Sequence, residues 1–297
     1  MRSLLALLQL RDSRATTSRE EGRVRCDGFE RSSLVITGEL GDIPAFLFLP
    51  LGSGPFPAVL VHHQHSGEWH LGKSEVAGLA GDPLQAFAPE LARRGMIVLC
   101  ADVISFEDRR AKARGIAPDP DDWLQHYNAC AHRLVTGDLL MRAIVDDAMC
   151  AVDVLRARDD VASIGALGHS MGGTIALWHA AIDHRVAYVC ASGCVASFAR
   201  RIADGTGISM LELIPGIAHE REASSIVAEV APRPLLIVSA DEDRYSADAP
   251  EVVAQALGAW PAPRLVQSLR AGRGHDLDRT RFDEILRWVI ETARAIG

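Results

Sequence analysis

Short, continuous apolar runs recur along this chain, and most are followed by a stretch patterned for a helix. The runs are "FPAVLVHH" (56–63), "MIVLCAD" (96–102), "ASIGALG" (162–168), "VAYVCAS" (186–192) and "PLLIVSA" (234–240). A strand with one wet face alternates apolar and polar residues, whereas an unbroken apolar run of this length fits a strand buried on both faces. The helix-patterned stretches begin with "LQAFAPELARRG" (84–95), stopped by Gly95 and with Pro89 in its first turn or at a kink. "DLLMRAIVDDAMCAVDVLRAR" (138–158) sets Ile144, Ala148, Val152 and Leu155 at helical spacing, with Asp138 able to cap it. "GTIALWHAAID" (173–183) and "PEVVAQALGAW" (250–260) follow. A sixth strand, "RLVQSL" (264–269), precedes a closing helix, "RTRFDEILRWVIETARAI" (279–296). Strands alternating with helices predict an α/β fold with a mostly parallel, doubly wound sheet. Upstream, "SSLVITGELGDIPAFLFLP" (32–50) reads as an N-terminal antiparallel hairpin around Gly41-Asp42.

With 297 residues, 48% of them hydrophobic, the chain can bury one large core, and no repeat, low-complexity tract or linker divides it. We therefore expect a single domain over 1–297. Residues 1–30 are expected to form a helical extension, opened by an amphipathic helix in "MRSLLALLQLRDSRA". A signal peptide is the rival for that segment; the charges that follow at once and the missing small-x-small site argue against it. Residues 103–137, read as a long loop with one short helix, and residues 194–225 are expected to build the pocket. A net charge of −8 disfavours nucleic acid or an anionic membrane surface as partner. No apolar run approaches the ~20 residues of a membrane helix. Cys26, Cys100, Cys130, Cys150, Cys190 and Cys194 are scattered, as suits reduced thiols in a cytoplasmic protein; Cys190 and Cys194 are too few for a zinc site.

"ALGHSMGG" (166–173) sits where a strand run gives way to a helix run. A serine there, between Gly168 and Gly172, stands on a sharp turn that lifts its hydroxyl clear of the sheet at a helix N-terminus. Such a hydroxyl needs a base. The pattern then asks for an acid and a histidine later in the chain, in that order. Beyond His219 there is one histidine, His275, in "AGRGHDLD" after the last strand. The acid should follow "PLLIVSA", where Asp241, Glu242 and Asp243 stand. We select Asp243, the third position after the small Ala240, with Asp241 as fallback; Asp276 adjoins His275, and adjacent side chains diverge. The candidate catalytic set is Ser170, Asp243 and His275. An oxyanion needs backbone donors. Met171 should supply one, and the loop after strand 56–62 the other, through His65 or alternatively Gln64.

His62, His63, His65 and His70 crowd that loop and raise the rival of a metallohydrolase. H-E-x-x-H and H-x-H-x-D-H are both absent, and we expect neither metal nor other cofactor. "SFEDRR" (105–110) is either a solvated charge run or a carboxylate–guanidinium brace beside the pocket. Gln64, Trp69, Trp123 and Tyr127 are candidate substrate-pocket residues, with Phe198 a further aromatic; each aromatic could equally be packing.

Five segments resemble the α/β-hydrolase superfamily, and within it the dienelactone hydrolase-like and acetyl xylan esterase-like branch. They are "HHQHSGEWHLGKSEVAGLAG" (62–81), "FEDRR" (106–110), "GHSMGG" (168–173), "APRPLLIVSADED" (231–243) and "GRGHDL" (272–277). The resemblance implies Ser170, Asp243 and His275 as a triad and an oxyanion amide from the loop at His65. Serine stands where dienelactone hydrolases proper carry cysteine, and His63-Gln64 replaces the usual His-Gly. The expected activity is a metal-independent serine esterase cleaving a small carboxylic ester or lactone through an acyl-serine. Its rivals are an amide or peptide hydrolase on the same triad and a non-catalytic small-molecule receptor. The expected partner is a small-molecule ester; a homo-oligomer is compatible with the sequence.

Overall fold

The computed structural model describes residues 2–10, 16–260 and 264–297. Nine strands form one sheet among them: β1 (Thr17–Arg25), β2 (Phe29–Gly38), β3 (Gly41–Pro50), β4 (Phe56–His62), β5 (Ile97–Ala101), β6 (Val161–His169), β7 (Tyr188–Ser192), β8 (Leu235–Ala240) and β9 (Leu265–Arg270). Their order is β1-β2-β3-β5-β4-β6-β7-β8-β9. The strands from β5 to β9 run parallel, and β1, β2 and β3 extend the sheet antiparallel. This is the expected mostly parallel sheet with its hairpin at 32–50, closed where Gly38 faces Gly41.

The continuous apolar runs are explained by two cores. Along β4, Ala58 and Leu60 point into one and Val59 and Val61 into the other. The helices are α1 (Leu4–Leu8), α2 (Lys73–Val76), α3 (Phe87–Arg93), α4 (Asp122–Val135), α5 (Leu140–Arg156), α6 (Met171–Ile182), α7 (Phe198–Asp204), α8 (Ile217–Glu220), α9 (Ala223–Ala228), α10 (Ala249–Ala256) and α11 (Arg279–Ile296). Apolar residues of α5, α6, α9 and α10 fill the first core, and those of α3 and α11 the second. Among the described residues, no helix is long and apolar enough to cross a membrane. The chain leaves β4 toward β5 on one side and β6 toward β7 on the other, so a crevice opens beyond the ends of this adjacent pair.

Three expectations need correction. The extension over 1–30 is helical only at Leu4–Leu8; its residues 11–15 lie outside those described, and β1 occupies Thr17–Arg25. Every residue of β1 is exposed, so no apolar period marks it; pairing with β2 holds it, aided by the Arg23–Glu30 and Arg19–Asp42 ion pairs. Segment 103–137 carries a helix of 14 residues, α4, rather than one short helix in a long loop. Asp138 stands one residue before the α5 cap position, Leu139, and accepts from the Leu139 amide at 2.7 Å and from Arg142. The segment 194–225 is built largely of short helices, α7, α8 and the start of α9.

Phe87 of α3 and Phe282 of α11 stack at 4.8 Å and join the two helices over the second core. Phe282→Ala should cost roughly 3–5 kcal/mol. Urea unfolding will show it, and a loss below about 1 kcal/mol would mean this stack does not anchor α11.

Candidate active site

Strand β6 is buried on both faces along its second half and must hand over to α6 without a loop. Ser170 makes that turn with φ 56° and ψ −125°, a strained conformation for a residue with a side chain. The crossing is tight. A Cβ on Gly168 would lie 2.1 Å from the Gly172 carbonyl carbon, and one on Gly172 would lie 2.1 Å from the His62 oxygen. Both positions therefore require glycine, and the turn holds the Ser170 side chain at the mouth of the crevice.

The three candidate catalytic side chains meet there. His275 Nε2 is 2.8 Å from Ser170 Oγ, and His275 Nδ1 is 3.0 Å from Asp243 Oδ2. Asp243 follows β8 as expected and is fully buried; Ser246 Oγ donates to Oδ2 at 2.6 Å and the Tyr245 amide to Oδ1 at 2.9 Å. Burial pushes the Asp243 carboxyl up, but the His275 bond and charge and the Ser246 and Tyr245 bonds outweigh it and leave it below its ordinary range. Asp241, the fallback, instead accepts from the Gly272 amide at 2.8 Å and so fastens the loop that carries His275.

Ser170 and His275 line a cleft of about 440 Å³ together with Met171, His65, His126, Arg201, Glu212 and Tyr245. Met171 opens α6, so its amide is one of the helix donors without an intrahelical acceptor. Arg201 Nη1 donates to Glu212 Oε2 at 2.8 Å, which sets a buried ion pair in the cleft wall.

The aromatic pocket candidates lie elsewhere. Trp123 and Tyr127 stack on each other at 5.5 Å and are 53% and 46% exposed. They sit four apart on the outer face of α4, while Asp122, His126 and Cys130 turn inward, so His126 is the residue that reaches the cleft. Trp69 stands behind the wall, its ring 5.3 Å from that of His65. Gln64 is buried and donates to Glu75 Oε1 at 3.0 Å, away from the cleft. Phe198 is a core residue. His126, Arg201 and Glu212 were missed because a 14-residue helix and a cross-loop pair leave no short motif.

"SFEDRR" proves to be a brace, with a lysine at its centre. Lys73 Nζ lies 2.8 Å from Asp102 Oδ2, 2.5 Å from Glu107 Oε1 and 2.7 Å from Asp108 Oδ2. Glu107 also accepts from the Gly72 and Ser74 amides at 3.0 and 2.9 Å, tying the loop after β5 to the segment that follows His65. Arg109 pairs with Asp147, and Arg110 with Asp122 at 2.8 Å. Among the described residues, Asp102, Glu107 and Asp108 are the one group close enough to share a metal ion, and the ammonium sits among them. Burial pushes the Lys73 pKa down, but the Asp102 and Glu107 charges prevail and raise it. The crowded histidines diverge: His62 packs on His179 at 5.9 Å, His63 Nε2 accepts from the Val103 amide at 3.1 Å, and His65 faces Trp69, Phe106 and His126.

Lys73→Met strands three carboxylates without their cation. We expect a loss of roughly 3–5 kcal/mol at neutral pH, partly recovered on acidification as a carboxyl takes up a proton; a pH-independent melting temperature in this variant would contradict the brace. Burial holds His63 and His126 each at about 4. In the unfolded chain both return to about 6.5. Protons then bind the unfolded state first, so each ring takes stability away as pH drops from about 6.5 toward 4, whereas Glu75, which burial raises to about 7, adds it over the same range. His126→Phe should therefore lose less stability than wild type between about pH 7 and pH 5, and urea midpoints that fall equally in the two proteins would count against this.

The comparisons with known proteins agree with this architecture. The Bacillus subtilis (strain 168) protein YtaP is 32% identical over 210 residues, 68% of this chain and 66% of its own length, so the chain spans just under two thirds of that relative. A glucuronoyl esterase from Solibacter usitatus superposes with a TM-score of 0.69 at 17% identity, over 98% of this chain and 91% of that one. An acetyl xylan esterase from Paenibacillus sp. R4 gives 0.63 at 17% identity, over 97% and 91%. At such identities the structures speak for the α/β-hydrolase fold. The dienelactone hydrolase family model matches residues 43–254, and the chain, with its serine elbow inside that span, belongs to the dienelactone hydrolase family.

Proposed function

We propose that the protein is a serine esterase that cleaves a small carboxylic ester or lactone through an acyl-serine. The observation that carries this reading is the contact of Ser170 Oγ with His275 Nε2 at 2.8 Å, in line with His275 Nδ1 and Asp243 at 3.0 Å. His275 takes the hydroxyl proton as Ser170 attacks the substrate carbonyl. Asp243, acceptor-only in its ionised form, keeps the imidazole proton on Nδ1 and stabilises the imidazolium. The tetrahedral oxyanion forms beside the N-terminus of α6. There the Met171 amide, and in this reading the His65 backbone amide, donate to it. His275 then protonates the leaving alcohol; a water deprotonated by the same imidazole attacks the acyl-serine and releases the acid.

No step in this sequence needs a metal. The names of the esterases sharing the fold point toward ester substrates, and the cleft of about 440 Å³ suits a small molecule. The test is a panel of p-nitrophenyl esters of rising acyl length, with fluorophosphonate labelling as a separate probe of the nucleophile. Wild type should turn over the shorter esters in the presence of a chelator and take up the label. Ser170→Ala should lose the label and roughly 10⁴-fold or more of its turnover. A Ser170→Ala protein that keeps turning over esters would falsify the assignment.

A further inference from the structure

Beneath the triad lies a layer that the chemistry above does not use. His169, the residue before Ser170, is buried, and its ring faces that of His275 at 5.0 Å and 37°. On the other side Tyr245 meets the His275 ring edge-on at 5.0 Å. The two histidine rings can approach because residue 193 is glycine; a Cβ there would stand 2.6 Å from His169 Cε1 and 3.4 Å from His275 Cε1. His169 Nδ1 lies 3.0 Å from Ser192 Oγ, at the end of β7. His169 also comes close enough to the His275 backbone for a polar interaction with it. Arg281 reaches the same backbone from α11. Its buried guanidinium donates through Nη1 to the His275 carbonyl at 3.0 Å and to the Asp276 carbonyl at 3.4 Å.

We propose that His169 and Arg281 are positioning residues that clamp His275 from two sides, His169 against its ring and Arg281 on its backbone carbonyl, and so set the distance from its Nε2 to Ser170. This rests on the serine-hydrolase reading above. The need for a clamp is physical. His275 sits in a loop between β9 and α11 with glycines at 272 and 274, and a glycine-bearing loop does not hold a ring to a fraction of an ångström unaided. His169 is carried on the same strand end as the nucleophile, so Ser170 and one half of the clamp move as a unit. Its ring works as a neutral spacer, tied through Nδ1 to the Ser192 hydroxyl at 3.0 Å and lying against the His275 ring. Burial, with the His275 and Arg281 charges beside it, disfavours the protonated ring.

Steady-state kinetics on a p-nitrophenyl ester, together with the low-field NMR resonance of the His275 Nδ1 proton, tests the clamp. His169→Phe keeps a ring in the gap and removes both nitrogens. We expect kcat about 10²-fold lower, KM within about twofold of wild type, and a shifted or broadened resonance. His169→Gln, whose amide can still reach the Ser192 hydroxyl and the His275 backbone, should regain most of the lost rate. Unaltered kcat in His169→Phe, a loss confined to KM, or a folded Gln variant no better than Phe would each overturn the clamp. If His169→Phe does not fold, Arg281→Gln decides, since it should lower kcat in the same way and an unaltered kcat defeats the proposal. Wild-type protein that neither cleaves the ester nor takes up a fluorophosphonate overturns the serine-hydrolase reading itself. Wild type that does both while the folded variants match it overturns the clamp alone.

Discussion

Helix α6 crosses the end of β4 so tightly that no side-chain atom fits at Gly172 against the His62 carbonyl. That contact lets α6 start directly off β6, holds Ser170 at positive φ, and leaves the helix N-terminus open toward the crevice. The rest of the site is arranged around this fixed point. β8 delivers Asp243 and the loop after β9 delivers His275, each to within 3.0 Å of its neighbour. Because those strands lie in register in one sheet, a shift of any of them would be felt as a misplaced donor or acceptor.

Around that point the protein spends buried charge on loop geometry. The Lys73–Asp102–Glu107 group, with half-buried Asp108, and the Arg109–Asp147, Arg110–Asp122 and Arg201–Glu212 pairs all lie in or beside segments 103–137 and 194–225, which bring His126 and Arg201 to the cleft. Buried pairs of this kind are weak sources of net stability but severe penalties against any arrangement that breaks them. These segments also send Phe106, Cys130, Phe198 and Leu211 into the first core, and the ion pairs fix which loop conformation goes with that packing. Glu107 illustrates this. It takes two backbone amides, the Ser74 hydroxyl and the Lys73 ammonium at once, at the cost of its own positive φ of 41°.

Much of this was legible beforehand where a residue's role is set by its immediate neighbours. Burial on both faces writes itself as unbroken apolar runs, so the parallel strands stood out. The glycines flanking Ser170 mark a turn that tolerates nothing larger, and chain order then singled out His275 and the loop of Asp243. Strand β1 left no trace because it buries nothing; its partners are backbone groups of β2 and surface charges. Trp123 and Tyr127 were drawn to the pocket by their chemistry, yet which face of α4 turns inward depends on what the helix packs against.

By itself, then, the chain determined its fold class, the serine on its strained turn and the histidine and acid that follow it, since each of these follows from local sterics and from the order of strands. Only the folded structure decided what surrounds them: the lysine among three carboxylates, the arginine–glutamate pair in the cleft wall, and the second histidine under the first. These are contacts between residues far apart in sequence or on different elements. Their partners are chosen by how loops and helices dock on the sheet, and no local periodicity encodes that choice.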